Sequence, residues 1–217
     1  MKKTKRPVVY YGGVYGSPFS VDTEIEDLYF DFKNNVSLKN ETYLFCPAFT
    51  AWAKNKMVIK SPIDFSLNDN NFEGAGPTKY VQWFGNEFFF FADDSVQMTI
   101  YPPFLERTNI QGVVGQFDIG KWFRPINPAS TLIDGQLNIS KGQSLLYVGF
   151  DRPVDLQRVL FPEDVKQLQH SLNAYKQLGY KGSFVKLYRK FIRSRANKVL
   201  LNKIKKFNNI KENHNET

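Results

Sequence analysis

The sequence predicts a mainly β protein, a sandwich, jelly roll or partly closed barrel, followed by two C-terminal helices. Three observations lead there. Aromatic residues are frequent, with 20 Phe and 11 Tyr, and they fall in short runs set off by Gly, Pro, Asn and Asp, the texture of strands and turns. About ten such runs follow one another at close spacing up to residue 160, without the strand-helix alternation of a βαβ protein. From Phe161 onward the apolar residues recur at a helical period instead.

Residues 1–20 open with MKKTKRP and continue as YYGGVYGSPFS, too irregular for a helix, and read as an arm or loop ahead of a β body at 21–160. Residues 25–32 alternate loosely, Leu28, Phe30 and Phe32 opposing Tyr29 and Asp31, as a half-buried strand does. Asn34 and Asn35 supply a turn. Residues 41–49 start as a strand that Pro47 interrupts, and 48–54 suit a short helical turn. Residues 57–59 and 63–67 are strands on either side of Ser61 and Pro62, and 68–78, NDNNFEGAGPT, is the clearest loop of the body. Strands at 80–84 and 88–91, with Gly85 and Asn86 between them, have the spacing of a tight hairpin. A strand at 95–101 runs into Pro102 and Pro103, and 113–119, 122–126 and 144–150 complete the body, the last introduced by a turn at Lys141 and Gly142.

The helical segment is 161–210. Pro162, Glu163 and Asp164 suit a first turn, because Pro is tolerated where its missing N–H has no partner and acidic groups favour the positive end of the helix dipole. Val165, Leu168, Leu172 and Tyr175 share a face, and Gly179 ends that helix. A second helix from about Ser183 carries Phe184, Leu187, Tyr188, Phe191, Ile192, Val199, Leu200, Ile204 and Phe207 at the apolar period. The last residues, 211–217, read as a disordered tail.

Charge divides the chain sharply. The net charge is +8, and residues 186–217, with ten Lys or Arg against two Glu, account for all of it. A neutral body with a basic helical segment points to an anionic partner, nucleic acid or an acidic protein, met by Lys186, Arg189, Lys190, Arg193, Lys203 and Lys206. An anionic membrane surface suits the same pattern less well, since that segment has no Trp to anchor it. The plain alternative is a helix docked on the sheet with its basic side merely solvated.

Several chemistries lack their residues. Only His170 and His214 occur, and one cysteine, Cys46, too few for zinc or for an iron site of two His and a carboxylate. No cofactor is expected. Cys46 reads as a buried structural cysteine, and a lone Cys fits a reducing cytoplasm. There is no G-x-S-x-G elbow. Gly12 to Gly16, GGVYG, lacks the Lys and Ser or Thr of a phosphate loop and reads as a flexible Tyr-bearing loop. No apolar run approaches the ~20 residues of a membrane span. Asp93 and Asp94 are adjacent, and Asp118, Asp134, Asp151 and Asp155 lie at strand ends, where a magnesium site, an acid–base pair or simple turn formation are all open. Trp122, Arg124 and Asn127 in KWFRPINP form a possible aromatic and cationic surface on the body, against which stands a core Trp122 with Arg124 exposed.

Within 112–150, the ending LNISKGQSLLYVGF resembles the strand, Lys-Gly turn and strand of β-clip proteins of the dUTPase type and of jelly rolls. The Pro-Arg-Ser-Gly, Gly-Tyr-Asp and C-terminal Gly-rich motifs of dUTPases are absent, so the resemblance implies a fold and no catalytic residue. The stretch FCPAFTAWAKNKMVIKSPIDFSL, with KWFRPINP and SKGQSLLYVGF, is similar to proteins of tailed phages without an established activity. That likeness implies a host cytoplasm and a role in virion assembly.

The reading that follows is a non-enzymatic binding or assembly protein that contacts an anionic partner through its basic C-terminal helix. Two alternatives stand beside it. One is an enzyme acting on a small molecule or nucleotide in a carboxylate-lined β-barrel pocket, marked by several of Asp118, Asp134, Asp151 and Arg124 converging in one cleft. The other is a virion subunit, which requires homo-oligomers formed through the aromatic strands.

Overall fold

The computed structural model describes residues 5–13, 25–34, 45–68, 80–82, 88–105, 110–112, 114–121, 123, 126, 129–132, 136–161 and 196–215. Two sheets dominate them. The smaller is built on β1 (Val8–Gly13), which pairs antiparallel with β6 (Phe88–Ala92) and parallel with β13 (Asp155–Arg158). The larger is antiparallel throughout and runs in the order β2 (Ile25–Asp27), β3 (Lys56–Lys60), β12 (Ser144–Phe150), β7 (Gln97–Tyr101) and β9 (Gly115–Asp118). Two small sheets accompany them, β5 (Tyr80–Gln82), β10 (Ala129–Leu132) and β8 (Ile110–Gly112) in one, β11 (Gln136–Ile139) and β4 (Phe65–Asn68) in the other. The chain is mainly β, and its described sheets are open, none closing into a barrel.

Alternation along the strands explains why these sheets stack. Successive side chains point to opposite faces, and here both faces are apolar. From β6, Phe90 and Ala92 enter a core shared with Met98 and Ile100 of β7, Ile59 of β3 and Leu146, Val148 and Phe150 of β12. Their neighbours Phe89 and Phe91 point the other way, into a second cluster with Tyr10, Phe123, Val159 and Phe161. Tyr147 of β12 and Val58 of β3 likewise turn outward into a third cluster. All seven residues of β12 are buried, as expected of a strand covered on both faces.

Each outer face is closed by helix. Leu28 and Phe32 of α1 (Leu28–Asn34) cover Tyr147 and Val58, joined by Phe49 and Trp52 of α2 (Pro47–Ala53). On the other side Leu200 and Ile204 of α3 (Ala196–Asn215) complete the Phe89 and Phe91 cluster. The order through the molecule is α3, small sheet, large sheet, then α1 and α2.

Several expectations from sequence are corrected. Residues 8–13 are not arm but the central strand of the smaller sheet. Gly12 there has φ +152°, and a Cβ on it would meet the Val159 carbonyl oxygen at 2.0 Å, so it serves close backbone approach. Residues 28–32 are helix, not strand, because the Asp27 carboxylate accepts the N–H of Tyr29 at 3.0 Å and of Phe30 at 3.1 Å as an N-cap does. That turns Leu28 and Phe32 inward and leaves Phe30 61% exposed. The segments at 80–82 and 88–92 form no hairpin with one another; they lie in different sheets, since β5 pairs with β10 and β6 with β1. Phe123 and Ile126 are buried without strand pairing. Phe161 still belongs to the body, its N–H bonded to the Gly13 carbonyl at 3.0 Å. The C-terminal helix extends to Asn215, through most of the tail expected to be disordered. The loop at 69–78, most of the strand at 41–44 and the first helix from Pro162 lie outside the described residues.

The turn at Lys141 and Gly142 is present, with φ +83° at Gly142. It does not close a hairpin. β11 pairs with β4 instead, and Ser61 clasps the turn, donating its N–H to the Gln143 carbonyl and accepting that of Gly142, both at 2.8 Å.

Packing, not charge, holds α3. Burying Leu200 and Ile204 stabilises by roughly 1.5–3 kcal/mol each, whereas an exposed ion pair contributes ~0–1 kcal/mol. Ile204→Ala is therefore expected to lower the unfolding free energy by about 2–5 kcal/mol in urea denaturation, and Val199→Ala, on the exposed side, by under about 0.5 kcal/mol.

Candidate anionic-partner interface

α3 presents two unlike faces. Leu200 and Ile204, one helical turn apart, are fully buried, and Leu201 is partly buried against the same cluster. One turn further Asn208 clamps the body. Its Oδ1 accepts the Leu160 N–H at 3.0 Å, and its Nδ2 donates to the Leu160 carbonyl at 3.1 Å and to the Ile204 carbonyl at 2.8 Å. This satisfies the backbone of a residue just beyond the end of β13 and fixes the helix about its own axis.

With that rotation set, the polar side is set too. Lys198, Lys203, Lys205 and Lys206 are exposed. At ~1.5 Å rise per residue, Lys198 and Lys205 lie ~10 Å apart along one side of the helix, with Lys203 and Lys206 further round. Of the six basic residues expected to meet a partner, Lys203 and Lys206 are thus placed on the solvent side, and Lys186, Arg189, Lys190 and Arg193 lie outside the described residues. Lys198 and Lys205 are additions. Val199, expected on the apolar face, is 53% exposed, because a docked helix buries only one stripe and Leu200 occupies it.

The carboxylates were the alternative site, and the structure shows what they do. Asp118 and Asp151 do approach a common segment, Ser95–Gln97, but as brackets. Asp118 Oδ2 accepts from Ser95 Oγ at 2.5 Å and lies 2.9 Å from Lys121 Nζ, and its Oδ1 accepts the buried Gly120 N–H at 3.0 Å. Asp151 accepts the Gln97 N–H at 3.2 Å, and its own N–H returns to the Gln97 carbonyl. Asp93 accepts the Val8 N–H at 2.9 Å, and Asp155 pairs with Arg6 at 3.9 Å. Among the described residues no cluster of three metal-ligating side chains exists. Asp134 and Arg124 lie outside the described residues, as do Trp122, Asn127 and His170. Cys46 is exposed rather than buried. It precedes α2, where its carbonyl accepts from the N–H and hydroxyl of Thr50.

A cluster that sequence reading missed lies beneath α1. Lys60 Nζ is 2.5 Å from Asp31 and 2.8 Å from Glu26. One ammonium serves two carboxylates. Burial pushes the Asp31 carboxyl above its ordinary value despite Lys60, and Glu26 pushes the same way. Burial disfavours the Lys60 ammonium, but its two acidic partners outweigh that and hold its pKa up. The signal in the sequence was the spacing of Glu26 and Asp31, hidden once 25–32 was taken as one strand.

Comparison of the chain with protein-family models, with curated proteins and with solved structures finds no match in any of the three. Function is therefore argued from the chain's own surfaces.

Asp118 and Asp31 bend the acid limb of stability in opposite senses. Burial alone would raise the Asp118 carboxyl, but hydrogen bonds from Ser95, Lys121 and Gly120 hold it below its ordinary value. Its contribution is present above the unfolded pKa of ~4 and lost as pH falls through the folded one. Asp31, raised, contributes most below the unfolded pKa and loses that contribution as pH rises through the folded one. In urea unfolding from about pH 7 to pH 3, Asp118→Asn should flatten the loss of stability in acid and Asp31→Asn should steepen it. At neutral pH Asp118→Asn is expected to be destabilised by about 1–3 kcal/mol, since it weakens bonds to a buried N–H and a charged partner.

Proposed function

We propose that the chain is a non-enzymatic binding protein whose C-terminal helix holds a fixed row of lysines toward a polyanion, nucleic acid in the first place. The observation that supports this is the division of α3. Leu200, Ile204 and Asn208 are spent on the body, so Lys198, Lys203, Lys205 and Lys206 face outward together. A row of ammonium groups at helical spacing neutralises phosphates without reading bases, giving affinity that depends on salt and not on sequence. The same reading places the protein in the cytoplasm, that of a host if the phage-like texture of the sequence reflects its origin.

The carboxylate-lined pocket is the weaker reading. Asp118 and Asp151 already hold backbone and side-chain partners that a catalytic role would have to give up.

Removing the tail is an uninformative test, because it would strip Leu200 and Ile204 from the core. Charge substitution leaves the core intact. The full chain should bind DNA or RNA with log affinity falling linearly in log salt. Replacing Lys198, Lys203, Lys205 and Lys206 together by Gln should reduce the slope by about 3–4 on duplex DNA, near 0.9 per lysine, with no change in unfolding midpoint. An unchanged slope would remove α3 as the contact.

A further inference from the structure

We infer that the opposite outer layer, on α2, is a stacking surface for unpaired bases, so that the nucleic acid taken at this face, beside any duplex met by α3, is single-stranded. Trp52 is partly exposed at the centre of this face. Its ring lies 5.6 Å from that of Phe104 and 6.0 Å from that of Phe49, centroid to centroid. Phe104 is 54% exposed, and Phe45, just ahead of the helix, is 78% exposed. Trp52 and Phe104 adjoin, and a contiguous exposed apolar patch, unlike a single exposed ring, marks an interaction site. At the far end of α2, Lys56 sets its ammonium 4.4 Å above the Trp52 ring and Lys54 is exposed.

Charge decides what fits. The described acidic groups of β2 and α1 are occupied within the layer: Asp27 caps α1, and Glu26 and Asp31 share Lys60. Lys33 and Lys54 are exposed, whereas the Lys56 ammonium is held over the Trp52 ring and donates to the Trp52 carbonyl, so the outward positive charge of this layer comes from Lys33 and Lys54. Rings beside outward ammonium groups complement a ligand that is flat, apolar on its faces and strung on anions. A single nucleic-acid strand has that chemistry, and stacking on aromatic side chains tolerates any base. A duplex hides its base faces and offers this surface only phosphates.

This face extends the nucleic-acid reading but uses none of the lysines of α3. Its test measures binding of a ten-residue oligo-dT and of a duplex with the same number of phosphates, by quenching of tryptophan fluorescence and by anisotropy of labelled strands. Phe45→Ala, Phe104→Ala and the double variant are compared with the wild type and with the α3 lysine-to-Gln protein. The double variant should lose about ten-fold in affinity for oligo-dT with an unchanged salt slope, and duplex affinity should not move. Phe45→Ala, at a 78% exposed position, should keep its thermal midpoint close to wild type, whereas Phe104→Ala, whose ring meets Trp52 and the buried Tyr147, should lower it by about a few degrees and leave the protein folded at the assay temperature. Unchanged oligo-dT affinity in the double variant would overturn the inference. So would an equal loss for duplex, or a concentration-dependent dimer in sedimentation that the substitutions abolish, which would assign the face to a second copy of the chain. If the α3 variant alone loses binding, the reading of α3 stands and this one fails; if the phenylalanine variants alone lose it, the reverse holds.

Discussion

Two sheets with apolar residues on both faces impose the constraint on which this structure depends. A sheet with one wet face needs a single partner layer, but β6 and β12 offer none: Phe89 and Phe91 oppose Phe90 and Ala92, and Tyr147 opposes Leu146 and Val148. The two sheets cover each other once, which leaves an apolar face outward on each side. Those faces require helices. α1 and α2 answer one demand and α3 the other, so the C-terminal helix is a structural layer of the body.

The polar chemistry follows from that layering. Strand ends meet where chain segments cross between layers, and there the backbone loses ladder partners. Asp93, Asp118 and Asp151 supply them, accepting from Val8, Gly120 and Gln97. A Cβ at Gly120 would lie 1.9 Å from the Asp94 carbonyl oxygen, so only Gly permits the approach that the Asp118 bracket closes. Of the carboxylates that looked most like chemistry in the sequence, Asp93, Asp118 and Asp151 are thus committed to backbone and side-chain partners at the strand ends. Among the described residues, the outer layers carry the exposed lysines of α3 and the exposed ring of Phe104 beside α2.

How much of this the sequence shows depends on how local the determinant is. β12 and its Lys-Gly turn were legible because an apolar run after a turn signal is sufficient. α1 was not, since Leu28, Phe30 and Phe32 fit a period of two while Leu28 and Phe32 equally fit a helical turn, and the Asp27 cap decides. β1 was missed because Tyr-Tyr-Gly-Gly lacks alternation; its strand exists through parallel pairing with β13, almost 150 residues away in the chain. The apparent hairpin at 80–91 failed for the same reason, its strands being claimed by distant partners. For the candidate interface, the helical period and the excess of lysine were visible, and Lys203 and Lys206 are exposed. The stripe that docks was not visible, because Val199 and Leu200 are equally apolar in sequence and only the body distinguishes them. The exposure of Cys46, Phe45 and Phe104 is likewise a tertiary fact.

Docking on the body makes α3 part of the folded core and gives its lysines a fixed array. Native-state hydrogen exchange of the full chain addresses it directly, because amide protection reports the free energy of local opening. The amides of Leu201 to Phe207 are expected to exchange nearly as slowly as those of Tyr10 and Phe91, through the same cooperative opening. Exchange of the α3 amides at rates close to those of an unfolded peptide, with β1 and β6 still protected, would contradict it.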